Sequence, residues 1–321
     1  MTRRILAICY SIDYMRVLKS IWQSKIFRIG LSMILLYFAF RKVNITNLGK
    51  ELILVSPWAT VGLLGYLGLV MILGAWRWSL LALEKVGFSD VMAFAKATYV
   101  GSFYSLFFPT AVAGDLLKWT SLTKKYPQVH KLRLAGTALI DRLIGFTAFS
   151  LEALIALIIG KSSGYQFPNY IMWLFVGINC GLVVFYCLAY LVNFPVIFEK
   201  NKHLSKLSEL AELLRSGNKK RLFSCLAISV IAEPAWMVWS YFIAKLFGIP
   251  LTLIQIFIFM PVIALILVLP ISFAGFGARE QLFLYFFGQL GIPVEKILAM
   301  STFSGVLGII SSLIGGLLLW L

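Results

Sequence analysis

Three short strings set charge beside broken backbone within apolar sequence. They are Phe107-Phe108-Pro109-Thr110-Ala111-Val112-Ala113-Gly114-Asp115-Leu116-Leu117-Lys118, Asp141-Arg142-Leu143-Ile144-Gly145 and Pro270-Ile271-Ser272-Phe273-Ala274-Gly275-Phe276-Gly277-Ala278-Arg279-Glu280. Proline and glycine release backbone groups from the helical ladder, and small side chains let another helix or a head group approach that backbone. The chemistry that fits is anion recognition: Arg142, helped by Lys118, engages a phosphate, while Asp115 holds that arginine or responds to protonation. The alternative is a structural ion pair between Asp115 and Arg142 that ties a span to a hairpin. Ser272, Arg279 and Glu280 form the corresponding set in the third string.

Asp141 and Glu152 stand eleven residues apart, which is three helical turns within about 20°, so they share one face. Charges inside a membrane face the bundle interior or a wet cavity and are functional candidates. Glu233, just before Pro234, is either a coupling carboxylate or the partner of Lys245, Arg77 or a freed backbone amide. Arg77, between Trp76 and Trp78, reads as an interfacial anchor.

Other chemistries find no support. Cys9, Cys180, Cys187 and Cys225 lack metal-ligand spacing, and His130 and His203 sit apart in basic loops, so neither a metal nor a disulfide is expected. There is no Gly-x4-Gly-Lys-Ser/Thr loop, Gly101-Ser102-Phe103-Tyr104-Ser105 is no nucleophile elbow, and Gly275-x-Gly277 lacks the rest of a dinucleotide fingerprint. No cofactor is expected, and any transport is downhill or coupled to an ion gradient.

The elements that carry these residues are membrane elements. Of 321 residues 60% are hydrophobic and 13% charged, and the mean hydropathy is +0.91. The fold class expected is all-α, one polytopic integral-membrane domain over 1–321, with about six full spans and two re-entrant hairpins. Stretches nearly free of charge run over 52–76, 143–160, 162–198, 222–244, 246–278 and 297–321, each near or above the roughly 20 residues a span needs. A shorter one, 29–40, lies between Arg28 and Arg41, which can snorkel outward. No cleavable signal peptide is expected, and 1–25 and 195–220 read as amphipathic segments at the interface, the second a cytoplasmic linker.

The net charge of +16 concentrates in residues 1–28, 118–133 and 200–221. In a membrane protein this means cytoplasmic loops facing anionic lipid rather than a nucleic-acid partner. The N-terminus is therefore expected in the cytoplasm and the protein in the cytoplasmic (inner) membrane. If the first two basic loops share a side after two crossings, Val91 to Gly114 must double back as a re-entrant hairpin, with Gly101-Ser102 as its tip and Pro109 and Gly114 breaking its returning arm.

An offset of 161 residues then maps Trp78-Ser79 onto Trp239-Ser240, Gly87 onto Gly248, Leu106 onto Leu267, Pro109 onto Pro270, Ala113-Gly114 onto Ala274-Gly275, and Lys118 onto Arg279. This predicts two repeats, 52–160 and 222–321, with the second hairpin broken by Pro261 near its middle and by Pro270, Gly275 and Gly277. Three crossings between the hairpins invert the second relative to the first, the architecture of transporters.

The three strings resemble the flippase-like membrane domain of lysylphosphatidylglycerol synthase and the stand-alone proteins related to it, from about Arg28 to Leu321. In that family the first string usually reads Gly-Gly-Asp followed by arginine, where this chain has Ala113-Gly114-Asp115 and Lys118; lysine offers a point charge in place of a bidentate fork. The resemblance implies movement of an anionic phospholipid or a lipid-linked (polyprenyl-phosphate) molecule between leaflets, and the soluble aminoacyl-transferring domain of the fused synthases is not found here. The competing readings are an integral-membrane enzyme acting on such lipids, or an accessory subunit for a lipid-modifying enzyme.

Overall fold

The structure is a computed structural model and describes residues 30, 33, 34, 36–38, 45–107, 114, 117–191, 219–269, 272 and 275–319. Expectations that fall on 1–25, on most of 29–40 and 195–220, and on Pro109, Asp115 and Pro270 lie outside the described residues.

Local sequence sets the helix starts. Pro57, at the first turn, loses no hydrogen bond there, and the helix it opens follows a short α1 (Ile45–Ile53) as α2 (Pro57–Ala82). The break at 54–56 moves the first long span to 57–82 from the expected 52–76. Next comes α3 (Phe88–Ser105), whose first turn is held by the Asp90 carboxylate accepting from Gly87 N–H at 2.9 Å. After a 3-10 turn (Lys118–Leu122) follow α4 (Lys131–Ser162), α5 (Asn169–Leu191) and α6 (Lys219–Leu246). In α7 (Leu253–Leu267), Thr252 Oγ1 accepts from Gln255 N–H and Gln255 Oε1 accepts from Thr252 N–H, a reciprocal cap. Helices α8 (Ala278–Gly288) and α9 (Val294–Leu318) complete the chain.

Five of these helices (α2, α4, α5, α6 and α9) are long and apolar enough to cross a membrane. Trp58, Leu69, Trp173, Val183, Phe223 and Leu317 are exposed, so an apolar surface surrounds the bundle.

The chain doubles back twice between spans. Tyr126 Oη donates to Asp90 Oδ1 at 2.7 Å and Lys125 Nζ to the Ser89 carbonyl at 3.2 Å, which returns residue 126 to the end where α3 began. The turn lies beyond Ser105, not at Gly101-Ser102, because α3 continues as helix through both. Its Gly101 carbonyl and Ser105 instead receive Gly114 so closely that any β-carbon on residue 114 would overlap them. In the second hairpin α8 runs back along α7, with Phe259 against Phe286 and Phe287 at ring distances of 5.5 and 6.0 Å. Pro261 does not break it. It lies inside α7, buried among Phe259, Met260, Val262 and Ile263, and this packing outweighs the one backbone hydrogen bond a proline removes. The chain turns instead at 268–277, where Gly275 and Gly277 take φ of +80° and +81°, a region side chains disfavour.

Shifted by 161, the bounds of α2, α3, the 3-10 turn and α4 fall at 218–243, 249–266, 279–283 and 292 onward. The observed α6, α7, α8 and α9 occupy 219–246, 253–267, 278–288 and 294–318. Packing follows the same exchange: α3 lies on α9, α7 on α4, and α2 on α6 at the centre.

Candidate functional site

Between the two hairpins lies a cavity of about 480 Å³. Its walls come from α2, α3, the 3-10 turn, α4, the second turn and α9, and they bring Arg77, Lys118, Arg142 and Arg279 to one space. The hydroxyls of Thr98, Ser102, Ser105, Ser272, Ser304 and Ser312 line it as well.

Arg77 is the centre of the charged network. Its Nε donates to Asp141 Oδ1 at 2.7 Å, and its Nη1 donates to Glu233 Oε1 at 3.0 Å and to Ser229 Oγ at 2.9 Å. Only 6% of the residue is exposed. The interfacial reading of Trp76-Arg77-Trp78 is therefore corrected: α2 continues to Ala82, which carries Arg77 more than a turn inside the helix and into the bundle. Among the partners open for Glu233, Arg77 is the one found. The missed signal was the apolar run Leu80-Leu81-Ala82 after the tryptophans, which extends the helix past Arg77.

Gly145 explains why the third residue past Arg142 is small. A β-carbon there would sit 2.8 Å from both Arg77 Nη2 and Glu233 Oε1, so the ion pair lies directly on the glycine backbone. Lys118 completes this half. Its Nζ reaches Asp141 Oδ2 at 3.3 Å and stands 4.4 Å over the Trp78 ring, while Trp78 Nε1 donates to Thr137 Oγ1 at 3.3 Å. Asp141 thus serves two cations, one per oxygen.

The second half is built on Glu280, which is wholly buried. Its Oε2 accepts from Gly277 N–H at 2.6 Å, and its Oε1 accepts from Arg279 Nη2 at 3.1 Å and from Ser301 Oγ at 3.2 Å. Arg279 Nε also donates to Ser301 Oγ at 3.3 Å, and the guanidinium stands 5.1 Å over Phe276. Glu280 therefore caps α8 and aims Arg279, while Arg279 itself reaches the cavity. Gly305 faces that guanidinium so closely that a β-carbon would overlap it.

Arg142 lines the cavity and is exposed, unlike the buried Arg77 and Lys118. Four cations, Arg77, Lys118, Arg142 and Arg279, face three carboxylates, Asp141, Glu233 and Glu280, so these side chains together carry a surplus positive charge. Three guanidinium groups and a buried ammonium brought to one space suit an anionic oxygen cluster such as a phosphate.

Of the residues singled out in the sequence, Lys118, Asp141, Arg142, Ser272, Gly275 and Arg279 meet at this cavity. Glu280 and Glu233 stand behind it, and Gly114 and Gly277 shape the two turns. Glu152 does not line it; both of its carboxylate oxygens are buried without a hydrogen-bond partner among the described residues. Among those residues no His, Cys, Asp and Glu gather into a metal-binding group.

With this geometry in view, one family matches: Lysylphosphatidylglycerol synthase TM region, over residues 25–316. Among curated proteins, and among solved structures, nothing matches the chain.

Proposed function

The chain belongs to the family of the lysylphosphatidylglycerol synthase transmembrane region, and on that premise we propose that it moves an anionic phospholipid or a lipid-linked phosphate between leaflets. It is a multi-pass membrane protein of a family tied to lipid metabolism or transport. The observation that carries the finer reading is the cavity between the hairpins, where four cations stand with three carboxylates among the described residues.

The role is transport rather than catalysis, since the matched region is the membrane part of the synthase. Three spanning helices, α4, α5 and α6, separate the hairpins, so the second hairpin enters from the opposite face and the two halves form an inverted repeat. The exchanged packing of α3 on α9 and α7 on α4 supports this, because a pseudo-two-fold axis between the halves interchanges those pairs. With the basic segments on the cytoplasmic side, the N-terminus is cytoplasmic and the membrane is the cytoplasmic one.

The test is leaflet exchange of a fluorescent phosphatidylglycerol in proteoliposomes. Arg142→Ala removes a charge-assisted contact worth about 1.5–3 kcal/mol and is expected to slow exchange roughly tenfold or more. Exchange at the wild-type rate by folded Arg142→Ala protein would exclude the proposed role.

A further inference from the structure

The cationic cavity does not end at Arg279. A second lobe of about 300 Å³ joins it, and Met71, Leu267, Arg279, Ser304, Gly308 and Ser312 line both. The junction is open: a β-carbon built on Gly308 meets no atom within 4 Å.

The chemistry changes across that junction. The lobe's remaining walls are chiefly apolar, with Leu67, Trp236, Trp239, Met260, Ile263 and Phe283 among them. Three of its polar groups are spent on the protein. Ser240 Oγ donates to the Trp236 carbonyl at 3.4 Å, Ser311 Oγ to Met71 Sδ at 3.8 Å, and Trp239 Nε1 to the Leu63 carbonyl at 3.0 Å. Arg279 is the lobe's one charged residue, and it stands on the border shared with the cationic cavity. A space walled this way offers water few hydrogen bonds and suits hydrocarbon.

We propose that this lobe takes the head-proximal part of one hydrocarbon chain of the same amphiphile whose phosphate occupies the cationic cavity. The substrate is then gripped at both ends of its polar–apolar boundary, with Arg279 at the hinge between them, and does not leave all of its chains in the surrounding bilayer. The inference rests on the head-group reading above and names the substrate class more closely: an amphiphile with a phosphate close to an unbranched or prenyl-like chain.

Two probes separate the parts: methyl phosphate, which has the head alone, and decyl phosphate, which adds a chain. Binding to the full chain in nanodiscs is measured by calorimetry, with empty nanodiscs subtracted. Burying only two methylenes strengthens binding roughly tenfold, so decyl phosphate is expected to bind at least about tenfold more tightly than methyl phosphate. Ala264 lines the lobe and not the cationic cavity. Ala264→Phe narrows the lobe, and is expected to bring decyl phosphate toward the methyl phosphate level while leaving methyl phosphate unchanged. Arg279→Gln weakens both probes. Decyl phosphate that binds Ala264→Phe as tightly as wild type overturns the inference and leaves the head-group reading standing. Methyl phosphate indifferent to Arg279→Gln overturns the head-group reading itself.

A second measurement needs no narrowed lobe. 10-Bromodecyl phosphate should quench part of the tryptophan emission of the wild-type chain, and the Trp236→Phe/Trp239→Phe variant should lose that quenched part. Quenching unaltered in the double variant refutes the placement of the chain.

Discussion

Replacing Asp141 by asparagine removes the carboxylate that Arg77 and Lys118 share at 2.7 and 3.3 Å, with almost no change of volume. The two cations are not affected equally. Arg77 keeps Glu233 at 3.0 Å, whereas Lys118, only 3% exposed, keeps the Trp78 ring at 4.4 Å among the described residues. Stranding one charge of a buried pair costs about 3–5 kcal/mol, and a desolvated cation–π contact returns about 2 kcal/mol at most. The expected loss is therefore near the lower end, about 3 kcal/mol. At about 1.5 °C per kcal/mol for a chain of 321 residues, the unfolding midpoint should fall by roughly 4–5 °C. The assay is thermal unfolding of the detergent-solubilised chain followed by intrinsic fluorescence. Adding Lys118→Met removes the stranded ammonium but keeps the stem, so the double variant should recover about half of the loss. A midpoint unchanged in Asp141→Asn, or a double variant less stable than the single, would refute the argument that the Asp141 carboxylate compensates the buried Lys118 ammonium.

Three further outcomes are expected. Gly145→Ala sets its β-carbon 2.8 Å from both halves of the Arg77–Glu233 pair and should cost about 1–3 kcal/mol in the same unfolding assay; Gly305→Ala, which displaces the cavity-facing Arg279 guanidinium, should instead weaken methyl phosphate binding more than it lowers the midpoint. Outside the spanning helices, the Gly87 N–H and the Tyr126 hydroxyl hold the Asp90 carboxyl below its usual range. Its contribution to the first hairpin is then complete above about pH 4 and is lost as the pH falls through the depressed value. Hydrogen exchange at 88–91 should accordingly be faster in Asp90→Asn than in wild type at neutral pH, and the difference should vanish in strong acid. Finally, Ser121 and Gln289 are both exposed near the ends of their hairpins; cysteines there should show opposite sidedness, Ser121→Cys poorly labelled from outside and Gln289→Cys well labelled, and the reverse pattern would sink the inverted arrangement.

The spans and the doubling back of the chain were legible because lipid allows few solutions: long apolar runs become helices, and sided charge dictates which segments cannot cross. The helix starts at Lys219 and Val294 lie three residues before the expected limits of 222 and 297, whereas charged residues at its start carry α4 back to Lys131, twelve residues before 143. What misled were single breakers weighed without their packing. Gly101-Ser102 and Pro261 both sit in unbroken helix, the first pair receiving a neighbouring backbone and the proline buried among large side chains. At the site, Lys118 and Arg279 could be read from strings in which proline, small residues and charge follow one another, and Arg142 from the adjacent charges Asp141-Arg142 inside an apolar span. Arg77 could not be read so directly, because its role depends on Asp141, Ser229 and Glu233, which lie 64, 152 and 156 residues away. Glu280 had the right neighbourhood, but its burial shows it to be a support for Arg279 and the first turn of α8.

The two hairpin cations are neutralised in different ways, and this sets how each hairpin can move. Arg279 takes its counter-charge from the next residue, Glu280, so the pair travels as one neutral unit with α8. Lys118 takes its counter-charge from Asp141 on α4, an element of a different span. Sliding the first hairpin away from α4 separates opposite charges in a buried place, whereas moving α8 away from α9 breaks the Ser301 hydroxyl contacts and apolar packing but no ion pair among the described residues. Two arms of similar shape are thus tied down differently, the first by a charge pair to another span and the second by a charge pair carried on its own helix.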